Sequence, residues 1–263
     1  MTHQKKLVCS FLLSSALLGM AVSAQSAEKL HARDLFLSAN EPPKGGTSAP
    51  VGAGSDKVIK NTKPAPLGLR YSLLKQIGNN ETVEVDPYAV FHSGDRIRLS
   101  IQANDNGYLY IIVRGSSGKW SPLFPSKEIQ GGNNAVEKGG RYEIPLAGVW
   151  FRFDEHPGEE KLFIVLSRQP EPDLERLVQS LRGDAKATSS PESSISSTES
   201  GSIQVVDDAV VGKIRGQVAT RDIVFEKVDD KTPGEKKEKA VYVVNKTGSA
   251  EARVVVDVSL NHQ

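Results

Sequence analysis

The sequence predicts a mainly β protein: an antiparallel β-sandwich with one short helix and disordered linkers. Three observations lead there. Residues 96–103 alternate strictly, with Ile97, Leu99, Ile101 and Ala103 on one side and Arg96, Arg98, Ser100 and Gln102 on the other. That is the period of a strand with one buried face. Short apolar runs bounded by turn residues recur at a spacing of roughly 8–12 residues, as sandwich strands do. Helical spacing is clear only in residues 172–183, where Leu174, Leu177, Val178 and Leu181 share a face between Pro172 at the entry and Gly183 at the exit.

From the N-terminus, Lys5 and Lys6 precede an apolar stretch, residues 7–22, and Val22-Ser23-Ala24 places small residues where a signal peptidase reads. The stretch falls short of the roughly 20 residues a spanning helix needs. The expectation is a signal peptide over residues 1–24, export to the periplasm or beyond the cell, and no stable transmembrane segment after cleavage. Cys9, the chain's single cysteine, lies near the start of the apolar run and not at its end, which argues against lipidation. The mature chain then has no disulfide, thiolate nucleophile or cysteine zinc site.

Residues 25–66 read as an N-terminal segment and a Pro/Gly-rich linker, with residues 38–66 too poor in apolar side chains to offset their ordering entropy. Within the segment, Leu35, Phe36 and Leu37 form a short amphipathic piece that either engages a partner or folds back on its own domain. Strands are expected at 68–74, 96–103, 108–113, 120–124, 141–144, 149–153 and 162–166, giving a sandwich domain over residues 67–183. Asn104-Asp105-Asn106-Gly107 reads as a tight hairpin. Residues 108–113 and 162–166 are apolar almost throughout, so both are expected to be central and covered on two sides. Residues 184–202 are serine-rich and read as a second flexible linker. Residues 203–263 are expected to add strands at 217–225, 241–245 and 253–260, completing the sandwich, with the charged stretch 226–239 a solvated loop.

Lys and Arg total 33 against 32 Asp and Glu, a net charge of +1 that becomes −1 when Lys5 and Lys6 are removed. A near-neutral chain lacks the basic surplus that phosphate neutralisation requires, so nucleic acid is not an expected partner.

Leu67-Gly68-Leu69-Arg70-Tyr71 and Phe91-His92-Ser93-Gly94-Asp95-Arg96-Ile97-Arg98-Leu99 are followed by Asn106-Gly107-Tyr108-Leu109-Tyr110. Leu123-Phe124-Pro125-Ser126, Arg141-Tyr142-Glu143-Ile144-Pro145, Phe151-Arg152-Phe153 and Pro157-Gly158-Glu159-Glu160 come next. Over about residues 67–170 this succession resembles the bacterial family known as domain of unknown function 4384. The resemblance implies an exported stand-alone protein or a module of the kind attached to caspase-like peptidase or kinase domains. It supplies no catalytic residue, and neither attached domain is recognisable in the chain.

Candidate contact residues are aromatic. Trp120, after Gly115-Ser116-Ser117-Gly118, and Trp150 are placed to stack on a sugar or peptide if exposed, and otherwise pack in the core. Tyr108 and Tyr110 share a strand face, as core residues or as a stacking ladder. Phe36 is the candidate partner contact of the N-terminal piece. Asp105 between Asn104 and Asn106 lacks the further oxygen ligands calcium needs. His92 and His156 lie far apart, and no phosphate loop, nucleophile elbow or dinucleotide fingerprint is present, so no metal, cofactor or catalytic residue is expected. Glu159 and Glu160 fall in an expected turn, where solvation would keep both carboxyls ordinary. The residues therefore point to a non-enzymatic binding or adaptor module of the bacterial cell envelope, its partner an envelope protein or glycan. The alternatives are an envelope hydrolase using Asp/Glu pairs brought together by folding, and a structural subunit of a surface or secretion assembly.

Overall fold

The computed structural model describes residues 31–40, 64–78, 81–146, 148–182, 208–229 and 238–263. The expected signal peptide (1–24), most of the Pro/Gly-rich linker and the serine-rich linker lie outside the described residues. The chain runs α1 (Ala32–Asn40), β1 (Leu67–Gln76), β2 (Thr82–Val85), β3 (Val90–Phe91), β4 (Arg96–Ala103), β5 (Gly107–Arg114), β6 (Trp120–Phe124), β7 (Ala135–Val136), β8 (Arg141–Ile144), β9 (Phe151–Arg152) and β10 (Gly158–Ser167). Then follow α2 (Pro172–Arg182), α3 (Asp208–Val218), β11 (Ile223–Asp229), β12 (Lys239–Asn245) and β13 (Arg253–His262).

The expected sandwich is what forms. A seven-stranded sheet has the order β11-β12-β1-β4-β8, with β2 on β1 and β9 on β4; a six-stranded sheet has the order β3-β13-β10-β5-β6, with β7 on β5. All pairings are antiparallel except β13 with β3. The main core lies between the sheets. Leu69, Tyr71 and Leu73 of β1 and Ile97, Leu99 and Ile101 of β4 face Leu109 and Ile111 of β5, Leu162, Ile164 and Leu166 of β10, and Val254, Val256, Val258 and Leu260 of β13. Strands beyond residue 207 thus sit inside both sheets, β12 beside β1 and β13 between β3 and β10.

The outer face of the six-stranded sheet carries a second core. Tyr110, Ile112, Phe163 and Val165 pack there under Leu174, Leu177 and Val178 of α2 and Val211, Ile214 and Val218 of α3. Covering on both faces is why β5 and the second half of β10 read as unbroken apolar runs. A third, smaller cluster seats α1 on the outer face of β11 and β12, where Ala32 and Phe36 meet Val228, Ala240, Tyr242 and Val244.

Several expectations give way. There are three α-helices among the described residues, not one. Residues 208–218 form α3, where only strands were expected after residue 203, and the strand expected from residue 217 begins at Ile223. Val211, Ile214 and Val218 do keep helical spacing, but Gly212 and Gly216 interrupt it with poor helix formers. Ser38 to Asn40 close α1 and so leave the linker. Glu226 to Asp229 belong to β11 and not to a loop.

The expected hairpin at Asn104–Gly107 is a bridge between sheets: β4 pairs with β1, β8 and β9, β5 with β10, β6 and β7. The buried Asn104 ties the bridge down, accepting the Gly68 N–H at 2.6 Å and donating to the Pro66 carbonyl at 3.1 Å. Arg168 pairs with Asp105, and Asn106 accepts the Lys138 N–H at 2.7 Å. Turn chemistry fixed a sharp reversal without fixing which strands would pair. No helix among the described residues is long and apolar enough to cross a membrane.

Candidate functional site

The outer face of the seven-stranded sheet lacks the full helical cover its counterpart has; α1 covers β11, β12 and the start of β1. Strand alternation decides what stands on the remainder. With Leu69, Tyr71 and Leu73 turned inward, β1 sends Arg70, Ser72, Leu74 and Gln76 outward. By the same rule β4 contributes Arg96, Arg98, Ser100 and Gln102, and β8 contributes Arg141 and Glu143. Cross-strand register aligns Arg70, Gln102 and Arg141, and beside them Ser72, Ser100 and Glu143.

A groove of about 490 Å³ runs over this face, lined by Arg70, Leu74, Thr82, Val83, Glu84, Arg141, Glu143 and Glu238. Arg70 is the fixed element. Its Nη2 donates to Glu84 at 2.9 Å and its Nε to Glu238 at 2.8 Å. Burial works to lower its pKa, and these two carboxylates more than offset that, holding the guanidinium charged. Burial also works to raise the Glu84 carboxyl. The Arg70 guanidinium, the Lys239 N–H and the Ser72 hydroxyl reverse this and leave it below the ordinary carboxylate range. Tyr242 donates to Glu238 at 2.7 Å and is pushed up to about 12, first by burial and then by that carboxylate.

Other groups are less committed. Arg141 is half exposed, with Glu84 3.9 Å away. Arg98 lies 3.6 Å from Glu143 and stacks on the Trp150 ring at 3.8 Å, its Nε donating to the Val149 carbonyl at 3.0 Å. Beneath them the Ser100 hydroxyl is 1% exposed and has no hydrogen-bond partner among the described residues. The groove offers guanidinium donors and carboxylate acceptors side by side, and the Trp150 indole is connected to it through Arg98 and Glu143.

The sequence-selected aromatics divide. Trp150 stays half-exposed on this face. Trp120 does not: it is 7% exposed in the core under α3, and its Nε1 donates to Asp208 at 2.8 Å. Tyr110 is buried beside it, accepting the Glu171 N–H at 2.9 Å and donating to Glu175 at 3.2 Å. Tyr108 packs half-buried against the same cluster, so this pair is core and not a stacking ladder. Phe36 folds back on its own domain. It is 1% exposed, edge-on to Tyr242 with centroids 5.3 Å apart. The arginine and glutamate groups of the groove were not singled out from sequence, although the strict alternation in residues 96–103 already placed Arg98 and Ser100 on one outward face.

A second cluster closes one end of the sandwich. Phe91 and Phe153 stack with centroids 4.8 Å apart, His262 tilts against Phe153, and its Nε2 lies 3.4 Å from the Ser93 hydroxyl. Glu160, expected in a solvated turn, is instead in β10 beside Leu73, Ile97, Leu99, Phe151, Leu162 and Leu260. Burial raises its pKa, His262 works against that, and Asp154 adds to it. Glu159, one position earlier and facing solvent, is held low by Ser259 and Lys161. The space beside Glu160 is about 10 Å³, at the lower limit for one water.

Residues 90–170 match the family described as Domain of unknown function (DUF4384). The DUF4384 segment runs from β3 through β10 and carries Arg96, Arg98, Arg141, Glu143 and Trp150 of the outer face. It stops short of the residue-67 start suggested by the sequence resemblance, so Arg70 and Glu84 come from outside it, as do β12 and β13. No curated protein and no solved structure matches the chain.

Proposed function

We propose that this chain is an exported, non-enzymatic binding or adaptor module of the bacterial cell envelope, and that it binds an envelope glycan along the outer face of the seven-stranded sheet. The observation that carries the proposal is the groove on that face, where Arg70, Arg141, Glu84, Glu143 and Glu238 stand with Leu74, Thr82 and Val83, and where Glu143 adjoins the Arg98 that stacks on Trp150. Such groups donate to and accept from sugar hydroxyls, and an indole supplies a stacking edge. The near-neutral charge of the chain and the signal-like residues 1–24 support export and a polar, uncharged ligand.

The hydrolase alternative is weaker on geometry. Hydrolysis by a carboxylate pair asks for an acid with a raised pKa facing a second carboxylate across a cleft. Glu160 has the raised pKa but adjoins a space too small for substrate, while Glu84, in the groove, is held ionised. A structural-subunit reading draws on β11, an edge strand with Phe225 54% exposed; Glu226, Lys227 and Asp229 along it are the charges that discourage strand addition.

Trp150 supplies the test. Soluble peptidoglycan fragments added to the protein should change its tryptophan emission saturably. The change should vanish in Trp150→Phe and weaken in Glu143→Ala, because Trp120 is buried elsewhere. No saturable change with any envelope glycan would refute the glycan reading, and progressive release of new reducing ends would refute the non-enzymatic one.

A further inference from the structure

We infer that the end of the seven-stranded sheet where β4 meets β9 is a site for a phosphate group, held between Arg96 and Arg152. Register places these residues directly opposite each other in the antiparallel pair. Side chains so placed have Cβ atoms roughly 4.5–5.5 Å apart, and like charges there repel. Elsewhere on this face the repulsion is relieved by carboxylates: Arg70 has Glu84 and Glu238, Arg98 has Glu143, and Arg141 has Glu84 within ion-pair range. Arg96 and Arg152 have no such partner among the described residues.

The acids next to them in sequence are engaged elsewhere. Asp95 bonds the Lys75 ammonium at 2.6 Å and the His92 N–H at 3.1 Å, and Asp154 accepts the His156 N–H at 2.7 Å. Gln76 orients Arg96, its Oε1 accepting from Nη1 at 3.4 Å. A cavity of about 370 Å³ opens over the pair, lined by Gln76, Gly78, Gly94, Asp95, Arg96 and Arg152. Gly94 borders it at a φ of 89°, a backbone conformation that favours glycine.

The geometry selects the anion. Each guanidinium offers a planar fork of donors, and a single carboxylate, with two oxygens, fills one fork. A phosphate has oxygens enough for both forks and carries the charge to neutralise both arginines. Inorganic phosphate and a phosphomonoester headgroup both present such a group, whereas a phosphodiester, with two free oxygens and one charge, does not; the site stands independently of glycan binding in the groove.

The test uses the full chain in two arms, read by the arginine Nε–Hε resonances and by sedimentation. In one arm inorganic phosphate is titrated at constant ionic strength set with chloride; in the other, vesicles of phosphatidic acid in phosphatidylcholine are added. Saturable shifts at Arg96 and Arg152, weakened about tenfold or more in Arg152→Gln and in Arg96→Gln but not in Arg141→Gln, are expected in at least one arm. Response to vesicles alone would make the source a headgroup, and response to phosphate alone a soluble phosphate. Shifts that follow chloride equally, that persist in both variants, or that are missing from both arms would overturn the site.

Discussion

Replacing Gly68 with Ala tests how α1 is held. Gly68 lies in β1 under the helix, and a Cβ there would come within 2.9 Å of Phe36 Cδ2, 2.9 Å of Asn104 Nδ2 and 3.1 Å of Val244 Cγ2. None of these can yield freely. Asn104 is pinned by its bonds to Gly68 and Pro66, Val244 is fully buried in the sheet, and Phe36 is wedged against Tyr242. The ring can move only by lifting α1, so the substitution should cost roughly 1–3 kcal/mol, the range for an added methyl in a packed site. That corresponds to about 5- to 150-fold more frequent undocking. Hydrogen exchange should rise in residues 32–40 while the β4, β5 and β10 amides keep their protection. Phe36→Ala alone removes the ring and should cost about 3–5 kcal/mol. In that background Gly68→Ala should cost less, because the clash with Phe36 is gone while those with Asn104 and Val244 remain. Additive costs in the double variant, or unchanged exchange in α1, would refute the account of Phe36 as the wedge.

Two pH-dependent outcomes follow from the carboxylates. Glu160 has its folded pKa raised above the ordinary 4.5, so the folded state loses stability as pH climbs from 4.5 through that raised value. Glu160→Gln should therefore be more stable than the wild type at pH 7 and equal to it at pH 4 by urea unfolding; equal stability at both would contradict a buried acid. Glu84 is the reverse, its folded pKa depressed, so its stabilisation is full above 4.5 and is lost as pH falls through the folded value. Glu84→Gln should cost about 1.5–3 kcal/mol at pH 7, as for a lost charge-assisted bond, with the deficit closing in acid; a deficit independent of pH would sink the ion-pair explanation.

Much of the fold was legible because alternation is a local signal. Residues 96–103 and 253–260 alternate as strands with one apolar face; β13 bears this out, with Val254, Val256, Val258 and Leu260 all inward, while β4 keeps its apolar row inward but also buries the outward Arg98 and Ser100. What alternation does not encode is which sheet a strand joins. Asn104 to Gly107 carry the residues of a hairpin, yet the choice between pairing and crossing over was made by distant partners, β1 for one strand and β10 for the other. Helix α3 was hidden for a different reason: its apolar face matches a hydrophobic surface on β5 and β10 that outweighs two unfavourable glycines. The site was legible only through Trp150. Arg70, Glu84 and Glu238 come from β1, β2 and the entry to β12, and nothing local in the sequence marks residues 14 and 168 positions apart as partners.

The extent of the DUF4384 segment makes a last prediction about what can fold alone. Residues 90–170 contribute strands to both sheets, but the partners that complete their pairing lie outside. β1 takes one side of β4 along Leu69–Lys75, and β13 takes one side of β10 over its whole length, from Gly158 to Ser167. Without them the apolar inner rows of β4 and β10 would stand beside unpaired strand edges, a combination that favours aggregation. A fragment of residues 90–170 should therefore lack dispersed amide resonances and a cooperative thermal transition. The segment extended to residue 182, so that it keeps α2, and co-produced with residues 64–89 and 208–263 should recover both, since those pieces return β1, β12, β13 and the cover of α3. A well-dispersed spectrum from residues 90–170 alone would show that the segment closes its own sheets, and would move the origin of stability away from β1 and β13.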